Sequence, residues 1–240
     1  MNAQILQKYA LVLVSAAMLL PSSVAGKAQL HTSAQANQML EKAVASIGGQ
    51  PRIDRVKTLL IEATRRGSDG VESPLMYRMM LPDRFQEVSS MTYTINGESY
   101  WQTPETTEQN RAMAKTAKTR TFVELALAML LRSPALISVD AEAAGSTGLV
   151  FRWGDRTMNM EFDPATHRPI SFSHQGRLIR DGVAEPVVRT VRLEDYRTVA
   201  GVAFPFRWRE TFGSAEFTTQ VSKLLVNSGV SPADFLVSRK

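Results

Sequence analysis

Few side chains of this protein have the type and spacing to do chemistry. His167 and His174 stand seven residues apart, on opposite sides of an expected strand. Neither has a carboxylate at the spacing that a metal pair needs, so both read as surface or hydrogen-bonded histidines. Asp54, Asp83, Asp163 and Asp195 fall in turns or near strand ends. Pro82-Asp83 and Asp163-Pro164 are turn formers rather than an acid/base pair. There is no Cys. That excludes a thiol nucleophile, a disulfide framework, Cys-ligated zinc, an iron–sulfur centre and a lipid-modified cysteine. No Gly-rich phosphate loop, His-Glu-x-x-His or Gly-x-Ser-x-Gly is present. A non-enzyme without metal or cofactor is expected, and an exported hydrolase is the weakest reading.

Arginine is the other reactive type. Lys supplies 8 of the 28 basic residues and Arg the rest. The Arg fork suits phosphate and carboxylate, so anionic lipid headgroups are plausible targets. Nucleic acid is not, because no basic–aromatic run appears. A solvated mixed-charge surface explains the same composition.

The elements that carry these residues begin after a leader. Met1 to Lys8 is short and carries one positive charge, Lys8. Tyr9 to Leu20 is an uncharged apolar run of twelve, broken by Pro21 and followed by Ser23-Val24-Ala25. This is the layout of a secretory signal peptide, too short to span a bilayer. Cleavage is expected after Ala25, with Ala28 as the alternative. Removing 25 of the 240 residues leaves 215, and loss of Lys8 takes the net charge from +5 to +4. Residues 26–240 then read as one exported domain in the periplasm, expected to be monomeric.

Ala36, Met39, Leu40, Ala43, Val44 and Ile47 share a helical face that Gly48-Gly49 ends. Pro51 can start a further turn, with Ile53 and Val56 inward. After Lys57 the period becomes 2. Alternation at Leu59–Ala63, Leu75–Leu81 and Met91–Ile95, with Asn96-Gly97 as a hairpin signal, makes Thr58–Thr103 an antiparallel meander. A helical insert follows. Thr121 and Glu124 have capping-box spacing, ahead of an apolar stretch that Ser133-Pro134 stops. Strands return through Leu149–Trp153, Met158–Phe162, Ile170–His174, Val187–Tyr196, Val202–Arg209 and Phe217–Val221. Pro205 marks an edge or a bulge. This order argues for α+β, a curved antiparallel sheet with helices on one side.

Apolar groups concentrate on one face of that sheet. Tyr77, Met79, Phe85, Trp101, Phe151, Trp153, Met160, Phe162, Phe172, Phe206 and Trp208 are the candidate ligand-binding residues. Two helices are few to cover so much area, so an apolar cavity is expected beneath them. Met also suits surfaces that accept varied apolar partners, although gap-filling in the core explains it as well.

Several segments together resemble the LolA-like family of exported lipoprotein carriers and related lipid-binding proteins. They are Ile47-Gly48-Gly49, Leu81-Pro82-Asp83-Arg84-Phe85 and Asn96-Gly97-Glu98-Ser99-Tyr100-Trp101. Later ones are Phe162-Asp163-Pro164, Asp195-Tyr196-Arg197, Gly201-Val202-Ala203-Phe204-Pro205-Phe206 and Asn227 to Phe235. The resemblance implies an incomplete β-barrel with helices as a lid. It also implies non-catalytic transport of lipid or acylated lipoprotein, with Phe122, Leu125 and Met129 as lid contacts. The carriers have an Arg before the Pro of the Arg-Pro-x-x-Phe segment, where this chain has Leu81, so a general hydrophobic-ligand binder is the reading retained. An envelope sensor or regulatory module on the same fold, meeting a membrane protein, is the alternative. The exported protein should begin at Gly26; N-terminal sequencing that finds an intact leader would contradict this.

Overall fold

The computed structural model describes residues 33–104, 111, 115, 116, 118, 119, 121, 122, 124–126, 140–153, 156–180 and 183–236. The leader, its cleavage position and Met129 lie outside these residues, as does the Trp153 side chain.

Helix α1 (Ala34–Ser46) starts where the Ser33 hydroxyl accepts from the Ala36 N–H at 3.2 Å. It stops at Gly48 and Gly49, both with positive φ, the region glycine enters without strain. The Gly49 N–H donates to the Val44 carbonyl at 2.9 Å, closing the last turn. A short helix, α2 (Gln50–Ile53), follows with Pro51 in its first turn.

Twelve strands form one antiparallel sheet. They are β1 (Thr58–Gly67), β2 (Glu72–Met80), β3 (Arg84–Val88), β4 (Thr92–Asn96), β5 (Ser99–Thr103) and β6 (Asp140–Ala144), then β7 (Gly148–Trp153), β8 (Arg156–Phe162), β9 (Pro169–Arg180), β10 (Val183–Val199), β11 (Val202–Phe212) and β12 (Ala215–Val226). Their order is β5-β4-β3-β2-β1-β12-β11-β10-β9-β8-β7-β6. The sheet is open, with β5 and β6 at its two edges. The insert between them joins opposite edges, and its described residues Phe122 and Glu124 meet β3, β9 and β10.

Register places one face throughout. Leu59, Ile61 and Ala63 of β1 oppose Met79, Tyr77 and Leu75 of β2. Phe85 of β3 opposes Met79 and Ile95. On the far side Trp208 opposes Leu193, Phe172 opposes Met160, and Met158 opposes Phe151. These residues form one buried core with Ala36, Leu40, Ala43, Val44 and Ile47 of α1. The same face is strongly concave. Tyr77 and Trp208 lie three strands apart, about 14 Å on a flat sheet. Their ring centroids are 6.4 Å apart, so the sheet bends around them.

Some details depart from the periodicity. Strand β3 was not foreseen, because Phe85, Gln86 and Glu87 are all buried and no alternation shows. A 3-10 turn (Pro232–Phe235) explains this: it covers the convex side, where the Gln86 amide donates to the Asp234 carbonyl at 2.8 Å. Strand β6 was also unforeseen. The β4–β5 turn centres on Gly97 and Glu98, not Asn96-Gly97, since Asn96 pairs with Ser99 and only Gly97 has positive φ. Ile170 is exposed rather than inward, next to the register shift that pairs Phe162 with Pro169. Pro205 lies beyond the β11–β12 ladder, which begins at Arg207, so it sits on a locally unpaired edge as expected.

At Gly48 the end of α1 comes close to the β10–β11 turn. A Cβ there would collide with the Gly201 carbonyl oxygen, and φ is +129°. Gly48→Ala should cost about 2 kcal/mol or more. A thermal melt should show a drop of at least about 4 °C for a chain of this size. An unchanged Tm would show that this approach is not tight.

Candidate functional site

The insert lies against the concave face. Phe122 stacks on Phe85 with ring centroids 5.3 Å apart. Phe85 meets Tyr77 at 5.8 Å, and Tyr77 meets Trp208. This line of four rings runs from the insert across β3 and β2 to β11. Leu125 extends it, packed with Phe172, Leu193 and Trp208 around a cavity of about 10 Å³. That is room for about one water.

Beside the rings the concave face is charged. Glu124 of the insert is 1% exposed. Its carboxylate meets His174 Nε2 of β9 and accepts from Arg189 Nη1 of β10 at 2.5 Å. Arg189 Nε donates to Glu210 of β11 at 2.9 Å, and Glu210 accepts from Arg65 of β1 at 2.9 Å. The chain His174–Glu124–Arg189–Glu210–Arg65 runs over four strands and the insert. A second tie joins Lys118 of the insert to Glu87 of β3 at 2.7 Å, with the ammonium 4.3 Å from the Tyr93 ring centroid. His174 Nδ1 faces the Gln175 carbonyl at 2.9 Å.

Burial and charge act on these groups in opposite directions. Burial works to raise Glu210, but Arg189 and Arg65 outweigh it and hold the carboxyl below its ordinary range. Burial works against the charge of Arg189, and Glu124 and Glu210 more than offset that, pushing its pKa up. Burial pushes Lys118 down, with Glu87 opposing. Burial and the nearby Glu87 push the Tyr77 phenol far up, so it stays neutral.

A cleft of about 200 Å³ opens along this band, lined by Arg65, Tyr77, Glu87, Lys118, Thr121, His174, Arg189 and Glu210 among others. Gly176 and Phe212 complete it; a Cβ on Gly176 would stand 2.7 Å from the Phe212 ring, so only glycine leaves this wall in place. Among the described residues no group of three or more His, Asp and Glu could hold a metal ion. No described helix is long and apolar enough to cross a membrane.

The structure brings most of the sequence-derived candidates together. Tyr77, Met79, Phe85, Phe151, Met160, Phe162, Phe172 and Trp208 are buried in the shared core, with Phe122 and Leu125 of the insert. Trp101 stands apart. It pairs with Thr94, on the face that carries Gln86, and is half-buried there. Phe206 is buried under the exposed Arg197 guanidinium, 4.6 Å from its ring centroid. Glu124 corrects the capping-box reading: its carboxylate points into the sheet, toward His174 and Arg189. The charged residues were missed because each is separated from its partner by many positions. Their one signal is a polar residue on the inward register of an apolar strand, visible at His174. Asp163 is a turn former as read, its Oδ1 accepting from the Thr166 and Ala165 N–H at 2.6 and 3.0 Å.

Fold and site together define an open antiparallel sheet wrapped around a concave face that the chain's own helices close. No protein-family model and no curated protein matches the sequence. Among solved structures it is similar to a LolA superfamily protein from Nitrosomonas europaea: 12% identity, 85% of this chain and 99% of that one, TM-score 0.48. It is similar to a DUF1329 family protein from Desulfovibrio piger: 8% identity, 85% and 98% covered, TM-score 0.49. A putative outer membrane lipoprotein-sorting protein domain from Vibrio parahaemolyticus is also similar: 13% identity, 83% and 97% covered, TM-score 0.47.

The ion chain sets an acid limit on stability. Glu210 has a folded-state pKa below its unfolded value of about 4.3, so its contribution is complete above that value. It is lost as pH falls through the lower, folded value. The Tm difference between wild type and Glu210→Gln should be constant from about pH 5 to 8 and shrink below about pH 4. A difference independent of pH would remove Glu210 from the charged network.

Proposed function

We propose that the protein is a non-catalytic carrier or binder of lipid or lipoprotein acyl chains in an exported compartment, built as one domain over residues 26–240. One observation carries this reading. An apolar band of the concave face, running from Phe85 and Tyr77 to Trp208 and Phe172, is covered by the insert beside the charged band. Phe122 and Leu125 supply apolar contacts of the insert, and an aliphatic chain would replace them with little loss of buried area. Tyr77, Phe85, Phe172 and Trp208 would then line the ligand site.

A second reading, an envelope sensor or regulatory module, has its own support. The space between Leu125 and Trp208 is nearly filled, as in an interaction domain with no cargo. Its exposed arginines would meet a protein partner. Several are already paired on the surface, Arg209 and Arg207 with Glu194 and Arg152 with Glu142.

Native mass spectrometry of the mature protein should find copurifying lipid. If extraction yields none and fluorescent fatty acids fail to bind at micromolar concentration, the carrier reading is overturned. A stoichiometric membrane-protein partner recovered from envelope extract would then support the second. Trp208→Glu should abolish acyl-chain binding in a folded protein. Unchanged affinity would take Trp208 out of the site.

A further inference from the structure

We infer that Glu124 plugs an anion site preformed on the sheet, and that the cargo is an amphiphile whose own carboxylate or phosphate displaces it. This rests on the carrier reading and specifies its ligand class. The two groups that grip Glu124 belong to the sheet. His174 and Arg189 are direct cross-strand partners on β9 and β10, so the ladder sets their separation whether or not the insert is docked. They are 4% and 17% exposed. Glu124 comes instead from the insert. Other ties of that segment include the Phe122–Phe85 stack, the Lys118–Glu87 pair and the Lys115 ammonium donating to the Glu98 carbonyl.

Lifting the insert removes one negative charge from between His174 and Arg189. The nearly buried Arg189 guanidinium is then left facing a gap beside His174, a costly state unless another anion enters. The cleft of about 200 Å³ gives that anion a way in, past Arg65 and Lys118. Leu125, the next residue, fills the apolar space against Phe172 and Trp208. Glu124 and Leu125 together thus present an anionic group followed by an aliphatic one. A fatty acid or an alkyl phosphate presents the same pair, head first into the charged band and tail along the rings. A neutral head cannot replace the carboxylate.

The test uses the mature full-length protein and three ligands with one tail, below their aggregation concentrations: oleate, oleyl phosphate and oleyl alcohol. At least one anionic ligand should bind about tenfold tighter than the alcohol. Whichever anion prevails separates carboxylate from phosphate cargo. Glu124→Gln should tighten anionic binding about tenfold and leave the alcohol unchanged. Arg189→Gln should erase the preference, and Arg189→Lys should restore part of it. Hydrogen exchange on wild type avoids reliance on variants: oleate should speed exchange in residues 115–126, and the alcohol should not. Equal affinity for all three ligands, or protection of the insert by oleate, overturns the plug while leaving the carrier reading intact. No binding by any of the three overturns both.

Discussion

A buried carboxyl group, that of Glu124, ties the insert to the sheet. Glu124 belongs to a segment that joins opposite edges, and it ends almost fully out of water. Such a group is costly alone and acceptable only with good partners. His174 and Arg189 are those partners, and Arg189 needs Glu210, which needs Arg65. Each link neutralises the next. The docked position of the insert is therefore selected from many that would bury Phe122 and Leu125 equally well.

Strand order makes the network reachable. Strands β9, β10 and β11 are neighbours, and β1 lies two strands from β11, about 10 Å, within the combined reach of an Arg and a Glu side chain. Bending brings Tyr77 close to Trp208. The apolar rings and the ion chain share the concave face side by side. Burial of the rings supplies the drive to close, and the charges supply the register. A purely apolar replacement of the ion chain would bury similar area and lose that selection.

Two ends of the concave face are closed differently. Helix α1 fills one with Ala, Leu, Val and Ile, and shares a packed core with β1, β8 and β11. The insert closes the other with a mixture of rings and charges, next to an open cleft. Exchange of a chain segment for a ligand is easier at the second end. Its charged groups already border the cleft.

Much of the fold was legible from local pattern. Helix α1 follows from its apolar face and its paired glycines, and most strands follow from alternation, because both are properties of neighbouring residues. The one-sided placement of Tyr77, Met79, Phe85, Phe172 and Trp208 was legible for the same reason. Strand β3 was hidden because both its faces are covered. Trp101 was assigned to the wrong company because only the pairing of β4 with β5 sets its face. Glu124 carried a local explanation as a helix cap, and that explanation was displaced by contacts 50 and 65 positions away. The sequence alone determined which residues repeat inward along each element, since periodicity needs no partner. Tertiary structure alone decided which charges meet, because ion pairing depends on strand order and sheet curvature, and neither is a local property.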